Sequence, residues 1–98
     1  MPNDTTPIPN AVLDRVLPTL ALTEVPVLLY LFRRAFATQR PTVAVSLLQM
    51  QRRTGLAHTT LLRSLRSLDQ RGLITRQRRL GPNGHRIASA YTLTGAWR

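Results

Sequence analysis

Arginine is the residue type whose chemistry dominates this sequence. All 14 basic residues are arginine, and nine of them lie between Arg52 and Arg86, with Asp69 as the single acid in that stretch. The guanidinium group is planar and stays charged, so it donates paired hydrogen bonds to phosphate oxygens or to the edge of guanine. Only four acids oppose these arginines, and the formal charge is +10. Such a charge predicts a polyanionic partner, with nucleic acid the first choice and an anionic membrane surface the second.

Other residue types that perform chemistry are sparse. The four acids are scattered, no glycine-rich phosphate loop precedes a helix, and no serine or threonine is set beside a plausible base. Two histidines, His58 and His85, and no cysteine leave no credible set of metal ligands. We therefore expect neither an enzyme nor a bound metal or cofactor.

The composition also bears on size and location. Ninety-eight residues suffice for one domain with a modest core. The lack of cysteine excludes disulfide bonds and fits a cytoplasmic protein. Residues 1–10 are polar and proline-rich, unlike a signal peptide, and the longest apolar stretch, residues 27–32, is too short to span a bilayer. We expect a cytoplasmic protein with no membrane partner.

Residues 46–74 are the elements that must position the arginines. Ser46 is expected to cap a short helix, Gly55 to supply a left-handed turn, and a second helix to run from about 57 to 71 and end at Gly72. Its core face is expected to carry the leucines at i, i+4 and i+7, which are Leu61, Leu65 and Leu68. Two helices joined in this way predict a helix-turn-helix, whose second helix enters the major groove of DNA.

The rest of the chain is expected to complete the domain. Residues 27–32 are apolar all round, which predicts a helix buried on every side and covered by an N-terminal helix or by a second subunit. Strand-like stretches over 73–80 and 86–93 flank turn signals at 81–84, so a β-hairpin is expected. The predicted order is an arm over 1–9, an extension over 10–22, a domain over 23–93 and a tail over 94–98. The extension is expected to hold a helix over 11–17 that Pro18 stops. The first helix of the domain is expected to run from its cap Thr23 to about Ala37, before a strand over 42–45.

Helix, strand, helix, turn, helix and hairpin, in that order, resemble a winged helix-turn-helix domain over roughly Thr23 to Leu93. The phrases RRTGLAHTTLLRSLRSLDQRGLI and YTLTG look like the DNA-binding domains of MarR-type repressors and are similar to small phage and plasmid regulatory domains. The resemblance implies a fold that is mainly α with a small β-hairpin, built from a three-helix core, an N-terminal helix and a C-terminal wing. One departure is Ala57, which replaces the usual serine cap of the recognition helix.

The resemblance also implies where DNA would bind. Helix 57–71 would read the major groove, and the wing over 73–93 would contact the backbone or the minor groove. The predicted DNA-contacting residues are Ser46, Arg52, Arg53, His58, Thr59, Thr60, Leu62, Arg63, Arg66, Arg76, Arg78, Arg79, His85 and Arg86.

Plainer interpretations of the same residues stay open. A run of charge is usually a solvated face, although Arg63 and Arg66 stand opposite three core leucines with almost no acids nearby. Leu62 packs against the preceding helix or meets a thymine methyl group in the groove. The arginines of the hairpin protect an edge strand or contact phosphate.

We therefore expect a sequence-specific double-stranded DNA-binding protein that acts as a small transcriptional regulator. It is expected to form a homodimer through residues 10–37, and no small-molecule effector is evident in the sequence. One alternative is a replication, partition or architectural protein with little sequence preference. The other is a winged-helix adapter that binds protein.

Overall fold

Three α-helices, two short helical turns and three strands make up the part of the chain that the computed structural model describes, residues 5–77 and 89–94. A π-helical turn over Val12–Val16 and a 3-10 turn over Leu17–Thr19 are followed by α1 (Glu24–Thr38), β1 (Thr42–Val45), α2 (Leu47–Thr54), α3 (His58–Gln70), β2 (Ile74–Gln77) and β3 (Ser89–Leu93). The prediction of a mainly helical chain with a small β-structure is confirmed. None of the described helices is long and apolar enough to cross a membrane.

Helices α2 and α3 are joined by three residues, 55–57, as the local signals predict. The Ser46 hydroxyl accepts the Gln49 backbone N–H at 3.1 Å while the Gln49 side chain accepts the Ser46 N–H at 3.4 Å, which forms a capping box. Gly55 has φ +75°, a left-handed conformation that favours glycine, and Gly72 has φ +74° just after α3. At the start of α3, Ala57 is the N-cap and provides no side-chain bond.

The sheet has the strand order β1-β3-β2, and both pairings are antiparallel. Strands β2 and β3 pair with Ile74 opposite Leu93 and Arg76 opposite Tyr91, so the predicted hairpin pairing is confirmed. The predicted strand ends and the 81–84 turn lie outside the described residues. Strand β1 pairs with the other edge of β3, and the Thr42 and Thr92 hydroxyls bond at 2.9 Å across that pair.

One core joins all these elements. A single buried cluster contains the leucines of α3, Leu28 and Leu31 of α1, Met50 of α2 and Tyr91 of β3. Val12 is completely buried there, so the N-terminal segment (residues 10–22) covers the core of its own chain. The apolar residues before α1 that are partly buried against this cluster are Ile8, Ala11, Val16, Leu17 and Leu20.

Two predictions about the first half of the chain need correction. The helix expected over 11–17 is a π-helical turn followed by a 3-10 turn that includes Pro18, which fits near the start of such a turn because the first N–H groups need no partner there. Thr23 occupies the N-cap position of α1 but makes no side-chain cap, because its backbone is helical (φ −75°, ψ −21°) and not extended as in a capping residue. Its Oγ1 instead accepts a 3.1 Å hydrogen bond from the Ser64 hydroxyl of α3.

The expectation that residues 27–32 are buried on every side is only partly right. Val27, Leu28, Leu31 and Phe32 are buried, but Leu29 and Tyr30 are half-buried. From Tyr30 onward, one stripe of α1 faces solvent, because the small core and the N-terminal segment together cover only part of the helix circumference.

Candidate functional site

The outer face of α3 carries the side chains that the sequence predicts for nucleic-acid contact. Three leucines at positions 61, 65 and 68 turn into the core with at most 1% exposure, which rotates the opposite face of the helix toward solvent. The predicted contact residues on that outer side are His58, Thr59, Arg63 and Arg66, which are exposed, and Thr60 and Leu62, which are half-buried.

The orientation of α3 is also fixed by polar contacts at its inner side. Ser64 is buried among the core leucines and donates its hydrogen bond to Thr23 at the start of α1. Just after α3, the Arg71 side chain donates to the Thr19 carbonyl at 3.2 Å and to the Thr19 hydroxyl. Its Nη1 also lies 3.9 Å from Glu24 Oε1, which accepts the Ala21 N–H at 2.7 Å. These contacts tie the middle of α3 and its C-terminal end to residues 19–24, at the start of α1 and just before it.

Arg63 and Arg66 are available to an external anion. Neither side chain makes a hydrogen bond or an ion pair with the described part of the chain. Arg71 behaves differently, since its guanidinium is engaged by Thr19 and Glu24. Of the three arginines between His58 and Arg71, Arg71 thus holds the fold together, whereas Arg63 and Arg66 face outward with their donors unused.

A concave surface of about 300 Å³ lies beside the outer face of α3. Leu47, the first residue of α2, and Arg76 of β2 both line it. The remaining lining residues all belong to α3 and are His58, Leu62, Leu65, Arg66 and Asp69. The surface, here called the α3 groove, thus brings together four of the predicted contact residues, namely His58, Leu62, Arg66 and Arg76.

Arg76 reaches the groove from an unexpected direction. It pairs with Tyr91 across the strands, and its guanidinium carbon lies 5.7 Å from the centre of the Tyr91 ring. Paired residues project from the same face of a sheet, and Tyr91 is buried in the core, so Arg76 projects toward the helices. Its Nε is buried with no hydrogen-bond acceptor in the described structure. The position is therefore different from that of a charge added only to protect an exposed strand edge.

Asp69 is the one acid among the described residues that line the groove, and it was not predicted as a site residue. Its carboxylate is not within 4 Å of a guanidinium nitrogen in the described structure, although Arg66 and Arg76 line the same surface. Leu47 and Leu65 were also missed as lining residues. The helical spacing of 58, 62, 65, 66 and 69 was visible in the sequence, but the closeness of Leu47 and Arg76 depends on tertiary packing.

The remaining predicted residues lie elsewhere. The Ser46 hydroxyl caps α2, and this structural role explains the residue without a contact to DNA. Arg52 and Arg53 are exposed in the last turn of α2, but neither lines the α3 groove, and Arg53 lines a separate concave surface with residues of α1. Arg78, Arg79, His85 and Arg86 lie outside the described residues.

The described side chains of the site are groups that form hydrogen bonds, ion pairs and apolar contacts. Residues 5–77 and 89–94 contain no group of three or more histidine and acidic side chains that could hold a metal ion. The groove contains guanidinium, imidazole and carboxylate groups without a hydrogen-bonded nucleophile and base. The described residues of the groove offer two arginines, one histidine and one acid beside leucine side chains, a mainly polar surface whose guanidinium groups suit a ligand with phosphate groups.

Compared with models of known protein families and with curated protein sequences, the chain shows no match.

Proposed function

We propose that this protein is a small transcriptional regulator that binds double-stranded DNA sequence-specifically as a winged helix-turn-helix. In this proposal α3 lies in the major groove, and the β2–β3 hairpin is the wing that contacts the backbone or the minor groove. The observation that carries the proposal is the outer face of α3, where Arg63 and Arg66 have no partner in the described chain, beside a groove that Arg76 closes from the sheet.

Two kinds of contact would contribute to DNA binding, one to affinity and one to sequence choice. Arginines that neutralise phosphates supply affinity on any sequence, because bound counterions are released from the DNA. Side chains on the outer face of α3 supply sequence choice, with arginine donating to guanine and Thr59 bonding to a base edge. Leu62 is half-buried on the groove floor with Leu47, which favours packing against α2 as its role and leaves its outer methyl groups to meet a thymine.

We also propose that the protein acts as a homodimer through residues 10–37. The N-terminal segment covers its own core, yet Leu13 stays 46% exposed and Leu22 91% exposed. Two such chains related by a two-fold axis would present two α3 helices about one DNA turn apart, ~34 Å, as a palindromic site requires.

Competition binding tests the function. A labelled duplex selected from a random pool is bound at fixed salt and challenged with unlabelled copies of itself or with random duplex. We expect the selected duplex to compete at least 100-fold better, since specific sites typically exceed non-specific DNA by ~10³ or more. Equal competition by random duplex would favour a low-specificity architectural role. A complete lack of duplex binding would favour a protein adapter.

The salt dependence of duplex binding provides a second test of the proposed function. If about six arginines neutralise phosphates, the logarithm of the association constant against the logarithm of salt concentration should fall with a slope of about −5, at roughly −0.9 per contact. A slope near zero would exclude phosphate neutralisation as the source of affinity.

A further inference from the structure

The α3 groove contains a buried hydrogen-bond donor that the described chain does not use. Arg76 Nε is buried and has no acceptor there. Neither this guanidinium nor that of Arg66, which lines the same groove, forms an ion pair or a hydrogen bond with the described part of the chain. Buried polar groups in folded proteins almost always have a partner. The unused donor therefore indicates an acceptor that comes from outside the chain.

The Arg76 side chain is already restricted in the free protein. Its guanidinium carbon lies 5.7 Å from the centre of the Tyr91 ring, and Tyr91 is buried in the core. Strand pairing places the two residues opposite each other, so the backbone of Arg76 is fixed as well. A restricted side chain loses less entropy when it binds a ligand. This favours a ligand that accepts hydrogen bonds from Nε and from one Nη nitrogen together.

The second guanidinium of the groove comes from a different element. Arg66 is exposed on α3, so α3 and β2 each contribute one planar cation to the same concave surface of about 300 Å³. A phosphate group carries oxygens in several directions and can accept from both cations, whereas the acceptors of a base edge lie in one plane. The groove therefore suits a phosphate group better than a base edge.

The charge of the groove indicates which kind of phosphate it suits. Its described lining contains two arginines and one acid, Asp69, which leaves one net positive charge when His58 is counted as neutral. Each phosphodiester of a nucleic-acid backbone carries one negative charge. A phosphomonoester carries about −1.5 to −2 at pH 7, and the exposed Asp69 carboxylate would repel the additional charge. The balance of charge thus favours a diester.

We propose that the α3 groove holds one phosphodiester group of the DNA backbone between Arg76 and Arg66, with the Arg76 Nε–H as its fixed donor. The inference rests on the proposed function, because it takes DNA as the source of that group. It adds a division of roles within the interface. Arg66 holds the backbone, while Arg63 and Thr59, which are exposed on α3 outside the groove, read base edges.

A measurement without DNA tests the site itself. The Arg76 Nε–H signal of the full-length chain is followed by NMR while dimethyl phosphate is added, with sodium chloride at equal ionic strength as the reference. We expect a saturable downfield shift with the diester and none with chloride, because a charged oxygen becomes the acceptor of that hydrogen. An equal response to chloride would overturn the inference. Tighter binding of methyl phosphate, a monoester, would overturn the assignment to a diester.

Neutral backbone linkages test whether DNA supplies the phosphate. Single methylphosphonates, which lack the charged oxygen, are placed one at a time along the selected duplex, and affinity is measured for wild type and for Arg76→Gln. We expect one linkage in each half-site to weaken wild type by about tenfold and Arg76→Gln by less than about twofold, because the variant has already lost that contact. Arg40→Gln is the matched control, at an exposed arginine outside the groove and outside residues 10–37, and should respond like wild type.

Arg66→Gln should remove the same dependence on that linkage, and it changes an exposed residue, so it decides the matter if thermal unfolding shows that Arg76→Gln does not fold. If wild type prefers the selected duplex but no linkage is coupled to either arginine, the inference is wrong and the proposed function stands. If wild type binds no duplex at all, both proposals fail together.

Discussion

At the residue scale, Arg66 is the side chain that we expect to matter most for the proposed binding of DNA. It lies on the exposed face of α3 and also lines the α3 groove, whereas Arg63 is exposed outside that groove. The core leucines behind it hold the helix, so the side chain can be removed without opening the core. Arg66 thus connects the packing of α3 to the surface that is expected to meet DNA.

Replacing this side chain should lower binding without unfolding the protein. Arg66→Ala is expected to cost about 1–3 kcal/mol of binding free energy on the selected duplex and to relax sequence choice if the residue reads a base edge. Arg40→Ala, which removes an exposed arginine outside both the groove and residues 10–37, is the control and should change affinity little. Titrations with selected and random duplexes measure both. Equal weakening on all sequences would assign Arg66 to phosphate, and no weakening would remove it from the interface.

The acid in the groove gives a prediction of opposite sign. Asp69→Asn removes a negative charge beside Arg66 and Arg76, so the groove becomes more attractive to phosphate. We expect binding to selected and random duplexes to strengthen by about 0.5–1 kcal/mol, the usual scale of an exposed charge interaction. If affinity falls on the selected sequence alone, Asp69 accepts a hydrogen bond from a cytosine amino group instead. Isothermal titration on both duplexes distinguishes the two results.

At the element scale, local signals in the sequence predict α2 and α3 well. Ser46 caps α2, Gly55 adopts the left-handed turn, and Gly72 follows the end of α3, because each of these residues acts on the backbone within a few positions of itself. The predicted bounds of α3, about 57 to 71, therefore differ by one residue at each end from the observed His58–Gln70.

Contacts between distant segments could not be predicted in the same way. The bond from Arg71 to Thr19, the placement of Arg76 over Tyr91 and the meeting of Arg53 with α1 all join residues that are far apart in sequence. Periodicity assigns a residue to a face of its own element but does not say which other element lies opposite. For the same reason, the position of Arg53 beside α1 was not predicted from the sequence.

The turn between α2 and α3 provides a test at this scale. Gly55 has φ +75°, and a Cβ added there would meet nothing within 4 Å, so only the backbone conformation opposes a side chain. Gly55→Ala should lower the free energy of unfolding by about 1–2 kcal/mol. Gly55→Asn should cost less, since asparagine adopts this conformation more readily. Urea denaturation measures both. An alanine variant as stable as wild type would show that the turn relaxes to another conformation.

At the scale of the whole molecule, the exposed apolar side chains bear on self-association. Val12 is buried in its own chain, so deletion of the N-terminal segment would damage the core, and a single surface substitution is the cleaner test. Light scattering at micromolar concentration should give about twice the chain mass of 11.0 kDa for wild type. Leu22→Glu should give the monomer mass, because a charge at a buried contact disfavours the dimer.

The matched control for that substitution is Leu48→Glu, which changes an exposed leucine of α2 outside residues 10–37 and should leave the mass unchanged. A wild type that stays at 11.0 kDa both free and bound to DNA would show that the N-terminal segment only completes its own core.

The measurement that tests the central claim most directly is a residue-by-residue map of where DNA touches the protein. Backbone amide NMR signals are followed while the selected duplex is added to the full-length chain. If α3 enters the major groove of DNA, we expect the largest shifts at the exposed positions of α3 and at Arg76, with small shifts over residues 17–22 behind the helix. Shifts concentrated on the N-terminal segment, with α3 unchanged at saturating DNA, would contradict it.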